Sequence, residues 1–304
     1  MILKFPPKRI VVAADTSSPA FSALEAAKIL ANRWHSKIEV VYARDIPVNL
    51  MSWGVEADGE GLGELAEQLE DLRRWREERL ELRMKEMPSS RVKIRSVRGW
   101  PPKALAALAI PGRADWVVTG THGYSGLRRL AFGSVSEAIV RAAHVPVLTL
   151  HARRKPFRLS RILAPYNFKD YSRSTLLYAA RMARLARARL DILYVAPEGS
   201  PREKAAGELN AELRKLFGRI GFTGYRALVR KGNPRREILQ AGAGGDYDLI
   251  VVAAHRRWFW RDVILGSTAE TILRHSPIPV LSIPSVEKGG GRRREPAELS
   301  GTED

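Results

Sequence analysis

Short apolar runs alternate along this chain with longer segments whose apolar positions recur every three or four residues. Ile10-Val11-Val12-Ala13-Ala14 is apolar at every position, the pattern of a strand buried on both faces of a parallel sheet. The segment after it carries Phe21, Leu24, Ala27, Ala31 and Trp34 along one helical face. Continued along the first half, the pattern predicts strands near 9–14, 38–43, 92–97, 115–120 and 146–150, with helices near 18–34, 62–87, 102–109 and 134–143. The second half predicts strands near 161–165, 190–195, 224–230, 248–253 and 279–283. Such alternation defines an α/β fold, a parallel sheet with right-handed crossovers and helices on both faces.

The two halves are copies of one pattern. Arg161-Ile162-Leu163-Ala164-Pro165-Tyr166-Asn167 lies 152 positions after Arg9 to Asp15, and Tyr194 lies 152 after Tyr42. Later the offset becomes 133, and Ala114 to Leu150 overlays Tyr247 to Ile283 without a gap, with 12 identities in 37 positions. They include Asp115/Asp248, Gly133/Gly266, Ser134/Ser267, Glu137/Glu270, Arg141/Arg274 and the shared Pro-Val-Leu. A self-match of that length is a tandem repeat. Gly99-Trp100-Pro101 and Gly232-Asn233-Pro234 match as the turns that launch the third helix of each copy.

One loop in the first copy carries candidate chemistry. The run Trp116-Val117-Val118-Thr119 reads as a strand, and Val135 to Ala143 as a helix with Ser134 at its cap. Between them stand Gly120, Gly123, Gly126 and Gly133. Glycines let backbone N–H groups approach a phosphate, and a helix start adds donors and partial positive charge. A plain strand–helix turn would also use glycines for tight packing. The spacing is Gly, two residues, Gly, nine residues, Gly-Ser; neither the Gly-x4-Gly-Lys phosphate loop nor the dinucleotide fingerprint occurs. At the end of the first strand stands Asp15, whose carboxylate can accept hydrogen bonds from ribose hydroxyls or an adenine amino group. It can equally cap the first helix.

This glycine spacing resembles the nucleotide-binding signature of the universal stress protein family, and the likeness covers nearly all of residues 6 to 284. The resemblance implies two Rossmann-like (adenine nucleotide alpha hydrolase-like) domains, each a five-stranded parallel sheet of order 3-2-1-4-5. It also implies ATP as ligand, with Mg²⁺ arriving on the nucleotide. Gly120, Gly123, Gly133 and Ser134, flanked by Thr119 and Val135, would hold the phosphates. Asp15 would hold the ribose or base, and main-chain groups near Val41 and Ala43 would line the adenine. Family members pair through their last strands. Here that predicts antiparallel pairing of Val145–Leu150 with Ile278–Ile283 inside one chain, an internal pseudo-dimer, with Leu148 near Leu281. The linker from His151 to Ser160 is ten residues, about 33 Å when extended at ~3.3 Å per residue.

The second copy departs from that signature. Gly120 becomes Ala253, Gly123 becomes Arg256, Gly126 becomes Phe259 and Asp15 becomes Asn167. Arg256-Arg257-Trp258-Phe259-Trp260-Arg261 cannot wrap a triphosphate by backbone as glycines do. The cluster either fills the vacated pocket or a contact between copies, or offers a surface to anions, nucleic acid bases or a membrane. A further homodimer could use the same aromatics. The expectation is one ATP site, in the first copy only.

Composition narrows the remaining classes. The 304 residues divide naturally as 1–152, 153–286 and a tail, 287–304, that reads as a disordered basic segment. There is no Cys, so disulfides, thiol nucleophiles and cysteine metal sites are excluded. No apolar run reaches membrane-spanning length, and Met1 to Lys8 does not read as a signal peptide; the expectation is a cytoplasmic protein without membrane insertion. Of the net charge of +18, residues 1–152 hold 22 Lys+Arg against 17 Asp+Glu and residues 153–304 hold 29 against 16. The degenerate copy is thus the basic one. A basic surface attracts phosphate polymers without sequence preference, but no nucleic-acid-binding motif accompanies it; an arginine-rich proteome accounts for it as well. Candidate catalysis is thin. Arg128 and Arg129 could reach a γ-phosphate, His122 and His255 share a register, and no metal spacing or nucleophile triad is present. The function that the resemblance implies is a regulatory ATP-binding module in stress adaptation that could act through a protein partner. A nucleotide-free interaction module and a slow ATPase are the alternatives. The 46–63 segment mixes apolar residues, glycines and acids, and reads as a lid, a partner contact or a loop without a role. Leu65, Leu69, Leu72 and Leu80 predict a buried stripe on the helix that follows.

Overall fold

The structure, a computed structural model, describes residues 3–14, 17–44, 59–85, 91–121, 133–151, 156–259 and 262–286. The first repeat runs β1 (Arg9–Ala13), α1 (Ser18–Trp34), β2 (Lys37–Arg44), α2 (Gly59–Met84), β3 (Val92–Arg98), α3 (Pro101–Ala106), β4 (Trp116–Gly120), α4 (Ser134–Ala142) and β5 (Val147–Leu150). The second runs β6 (Arg161–Tyr166), α5 (Asp170–Ala186), β7 (Arg189–Ala196), α6 (Arg202–Gly218), β8 (Tyr225–Lys231), α7 (Pro234–Ala243), β9 (Leu249–Phe259), β10 (Asp262–Leu265), α8 (Ser267–His275) and β11 (Val280–Val286).

All eleven strands form one sheet, ordered β3-β2-β1-β4-β5-β11-β9-β6-β7-β8, with β10 paired to β9. Each repeat contributes the expected 3-2-1-4-5 order, parallel within the repeat. The two meet where β5 and β11 pair antiparallel, with Leu148 opposite Leu281. The seam is two-fold in its details. Thr149 donates its hydroxyl to the Val280 carbonyl at 3.2 Å, and its counterpart Ser282 donates to the Val147 carbonyl at the same distance. Both hydroxyls are buried, so these bonds satisfy groups that would otherwise be costly there.

Continuous pairing makes the core continuous. Alternate side chains of β1 point to opposite faces: Ile10 and Val12 join one buried layer, Val11 and Ala13 the other. Each layer crosses the seam, one including Leu24, Trp116, Leu148, Ile162 and Leu281, the other Ala109, Val147, Leu163, Ile250 and Val280. At the seam the first layer is aromatic. The Trp116 indole N–H donates to the Tyr178 hydroxyl at 2.6 Å, and Phe5 and Trp34 pack edge-on around them. On the other face Glu137 and Arg141 of α4 meet Glu270 and Arg274 of α8. Arg141–Glu137 lies at 2.8 Å, Arg274–Glu137 at 3.0 Å, Arg274–Glu270 at 3.1 Å and Arg141–Glu270 at 3.6 Å.

The repeated aspartates are anchors. Asp115 accepts the backbone N–H of Lys8 and Arg9, and Asp248 accepts those of Ser160 and Arg161, all at 2.9–3.0 Å. Each clips the start of its repeat's first strand to the start of the fourth. Gly99 and Gly232 sit at φ +118° and +119°. A backbone there favours glycine, and the proline two positions on opens α3 or α7.

The structure corrects four expectations. Strand β9 does not stop near 253: it runs to Phe259 and β10 folds back along it. The α4 cap is Gly133, not Ser134, because the Gly133 carbonyl already accepts the Glu137 N–H at 2.9 Å, making Ser134 the first helical residue. Leu80 is buried, but Leu72 is 41% exposed and stands outside the predicted stripe. Finally, α2 begins at Gly59, so the end of the 46–63 segment is helical; residues 45–58 lie outside the described residues. No helix among the described residues is long and apolar enough to cross a membrane.

Candidate functional site

Ligands of open parallel sheets sit beyond the carboxyl ends of the strands. In the first repeat that region is formed by the ends of β1, β2 and β4 and the start of α4. Asp15, Gly123, His122, Arg128 and Arg129 lie outside the described residues. Their flanks are well placed. The Gly133 N–H donates to the Thr121 carbonyl, the Thr121 N–H to Leu150, and the Thr121 hydroxyl meets Nδ1 of His151 at 2.7 Å. These bonds hold Thr121 and Gly133 together at the tip of β4, on either side of residues 122–132, which lie outside the described residues. Ser136 donates its hydroxyl to the Gly120 carbonyl, tying the first turn of α4 to the same point.

Gly133 caps α4 with no side-chain hydrogen bond. Ser136, at the capping-box position, donates to the Gly120 carbonyl instead, and Glu137 is held by Arg141 and Arg274. Among the described residues no side chain caps these N–H groups, an arrangement that can accept an anion. Ser134 is exposed there and Val135 half-buried. Thr119 is a framework residue: it is buried, and its hydroxyl lies 3.3 Å from the Gly120 carbonyl and 3.4 Å from the Ser136 hydroxyl.

Gly120 has a structural reason of its own. A Cβ there would lie 2.6 Å from the Pro19 carbonyl carbon and 2.8 Å from the Ala20 nitrogen, where α1 approaches β4. Gly120→Ala is expected to lower stability by about 1–3 kcal/mol through overpacking, read as a shift in urea midpoint. An unchanged midpoint would mean that α1 gives way. Gly120 is thus a poor probe of ligand binding, and Gly123 the better one.

The main chain expected to line an adenine belongs to β2. Its register with β1 ends at Val41, whose carbonyl accepts the Ala14 N–H at 3.0 Å. Val41 is buried framework. Ala43 stands past that pairing, opposite Val97 of β3, so its main chain overhangs β1. The α1 cap is Ser17, whose hydroxyl accepts the Ala20 N–H at 3.4 Å. The capping position that Asp15 was an alternative for is therefore filled.

The second repeat shows the same region as an open cavity of about 550 Å³. Its wall includes Asn167, Leu193, Val195 and Val252, the counterparts of Asp15, Val41, Ala43 and Thr119. Ala253, Gly266, Ser267 and Thr268, the counterparts of Gly120, Gly133, Ser134 and Val135, complete it. Of the nine residues singled out in the first repeat, eight have counterparts on this wall, and the side chain of the ninth counterpart, Arg256, lies outside the described residues. Tyr166 on this wall donates to Glu212 at 3.1 Å; burial, reinforced by that carboxylate, pushes its phenol up to about 12. Glu212 is held below the ordinary carboxylate range by the Arg173 guanidinium, 2.6 Å away.

Sequence reasoning did not assign the Glu137–Arg141–Glu270–Arg274 network. The signal was present as an identical Glu-x3-Arg in both copies. Among the described residues no group of three His, Asp or Glu side chains is placed to hold a metal ion. Of the Arg256–Arg261 cluster only the backbone course, to Phe259, is described.

The continuous sheet of two 3-2-1-4-5 halves, with helices on both faces, defines the class as a tandem doubly wound α/β protein. The model of the universal stress protein family matches residues 6–151 and again 159–284, and the chain belongs to that family. It is 31% identical over 150 residues to Universal stress protein MJ0531 of Methanocaldococcus jannaschii, covering 49% of this chain and 84% of that one. A universal stress protein structure from Archaeoglobus fulgidus superposes with a TM-score of 0.68 at 20% identity, covering 92% of this chain and 99% of that one. The Na(+)/H(+) antiporter NhaS5 of Synechocystis is 26% identical over 176 residues, 57% of this chain but 25% of the antiporter.

Proposed function

We propose that the first repeat binds ATP and that the protein is a cytoplasmic, nucleotide-responsive regulator in stress adaptation, acting through a protein partner. One observation carries this reading. The two ends of the Gly-x2-Gly-x9-Gly-Ser segment, Gly120-Thr121 and Gly133-Ser134, are held together at a helix start that no side chain caps among the described residues. Glycine main chain, the α4 N–H groups and the exposed Ser134 suit a triphosphate. The overhanging main chain of Ala43 suits the edge of a base, and Asp15 the ribose or base. Mg²⁺ would come on the nucleotide. With the α1 cap occupied by Ser17, a ligand role is the more economical use of Asp15.

Calorimetric titration of the full chain with ATP tests this. One equivalent is expected to bind. Gly123→Arg, which imports the residue of the second copy, should abolish binding and leave the fold intact. Asp15→Asn removes a charge-assisted hydrogen bond worth about 1.5–3 kcal/mol and should weaken binding by about tenfold or more. Failure of the wild type to bind ATP would leave a nucleotide-free interaction module, and equal affinity in all three proteins would put the ATP site elsewhere. Phosphate release over hours in the same samples distinguishes a slow ATPase from a binder.

A further inference from the structure

The sheet ends at β8. Among the described residues this strand pairs only with β7, and its outer side opens onto a slot between α6 and α7. We infer that the slot is a docking site for an extended, acidic segment of a partner protein, which adds to the sheet as a further strand beside β8. The inference gives a chemistry to the partner in the proposed function and does not depend on ATP binding in the first repeat.

Backbone comes first. The Leu190 N–H donates to the Gly224 carbonyl at 3.3 Å, and the Gly232 N–H to the Ala196 carbonyl at 3.1 Å. In a parallel ladder alternate residues of a strand serve the same neighbour, so the even-numbered residues of β8 bond to β7. Ala227 and Val229 therefore turn their N–H and C=O groups to the open side. An unpaired edge of this kind is a template for an incoming strand.

Room comes second. The slot has a volume of about 420 Å³ and is lined by every residue from Arg226 to Arg230. It follows the strand for roughly 16 Å at ~3.3 Å per residue. Side chains of an added strand would alternate between the two helices. The α6 wall offers Ala206, between Arg202 and Asn210 at helical spacing, and the α7 wall offers Ala241 and Gly244. These small residues leave the space that such side chains need. Behind the edge, Val229 belongs to the buried layer that holds Leu209 and Leu213 of α6. Leu228 packs against the layer that holds Ile238 and Ala241 of α7. The template is thus fixed on both faces.

Charge comes third. The slot is lined by three guanidinium groups, Arg202, Arg226 and Arg230, and by one carboxylate, Asp246. Asp246 is paired with Arg161 at 3.4 Å. Arg226 is held in place by Asp191, a buried carboxylate that also accepts the Tyr247 hydroxyl at 2.9 Å and lies 3.2 Å from Arg189. Arg230 reaches the Glu237 carboxylate at 3.4 Å. With side chains 50% and 43% exposed, Arg226 and Arg230 have donors left for a further carboxylate. Charged residues on an edge also deter a like edge. An antiparallel pair of β8 strands centred on Leu228 would set Arg226 of each against Arg230 of the other, and like charges directly opposed are destabilising. Arg226 and Arg230 share the strand face of Leu228, towards α7. They suit a strand that carries carboxylates at alternate positions, which selects an acidic partner over a second copy.

The test uses the full chain without nucleotide and a synthetic octapeptide that alternates glutamate and valine. The peptide is expected to bind one to one, to shift the amide NMR signals of Ala227 and Val229 and to slow their hydrogen exchange. An N-methylated peptide of the same sequence, which cannot donate along its backbone, should fail to bind. So should a peptide with lysine in place of glutamate. Val229→Pro removes one outward N–H and spares the ladder to β7; it should weaken the peptide by about threefold or more. Arg202→Glu combined with Arg230→Glu reverses charge at two exposed positions and should weaken it by about tenfold or more. The proposal is overturned if the glutamate–valine peptide fails to bind, or if either control peptide binds as well. It is equally overturned if the shifted signals lie away from β8, or if both protein variants keep wild-type affinity. Failure of the ATP reading would show separately, in the calorimetric titration with ATP, and would leave the peptide result unchanged.

Discussion

Leu148→Asp is expected to remove most of the stability of the whole chain, not only of the repeat that carries it. Leu148 is fully buried and faces Leu281, also fully buried, across the antiparallel seam. Losing a buried leucine costs about 2–5 kcal/mol. A polar group placed there without a partner adds about 1–3 kcal/mol even when the acid is protonated. Net stabilities of folded chains are of order 5–15 kcal/mol, so the loss is comparable to the total. Both core layers cross the seam, and each repeat loses the cover of an apolar edge strand when it opens. The expected readout in urea is a single transition for the wild type and an early, broadened or two-step transition for the variant. Leu281→Asp should match it, since the seam is two-fold. A variant with the wild-type midpoint and one transition would show that β5 and β11 do not bind the repeats together.

Much of this fold was legible because parallel strands buried on both faces leave an unmistakable apolar run. The offsets of 152 and 133 fixed equivalences that the sheet reproduces, among them Asp115 with Asp248 and Thr149 with Ser282. What escaped notice depends on distant partners. The β9–β10 hairpin was hidden because repeat alignment placed Arg256–Trp260 on a glycine loop, whereas aromatic residues followed by Val263-Ile264-Leu265 favour continued pairing. Ser134 looked like a cap because serine suits that position; Gly133, one residue earlier, supplies the carbonyl that starts the helix. Leu72 carried the periodicity of a buried stripe, yet α2 offers it no covering element. Glu137 and Arg274 could be read only as intrahelical pairs until the seam brought α4 and α8 together. For the candidate site the repeat offsets gave a correspondence of positions, since counterparts of eight of the nine residues named in the first repeat line a cavity in the second. The packing reason for Gly120 could not be read, because the clash with Pro19 is a tertiary fact.

Trp116→Ala is expected to rank with the seam substitutions, and its partner Tyr178 separates packing from hydrogen bonding. Trp116 is buried, with ring centroids 5.5 Å from Trp34, 6.1 Å from Phe5 and 6.5 Å from Tyr178. Truncation to alanine should cost about 3–5 kcal/mol. Tyr178→Phe keeps the ring but removes the hydroxyl that accepts the indole N–H and lies 3.3 Å from the Lys4 carbonyl. Leaving that buried N–H without an acceptor should cost about 1–3 kcal/mol. Trp116→Phe combined with Tyr178→Phe should cost less than the two single changes summed, because no orphaned donor remains. Alkaline titration gives an independent check. Burial pushes the Tyr178 phenol well above its ordinary value, so the folded chain keeps the proton that the unfolded chain releases near pH ~10. The stabilising contribution is complete below that pH and is lost as pH rises towards the folded value. Tyr178→Phe should therefore flatten the loss of stability above pH ~10 relative to wild type. Parallel wild-type and variant curves there would mean that the phenol is open to solvent and that the two repeats are not sealed at this cluster.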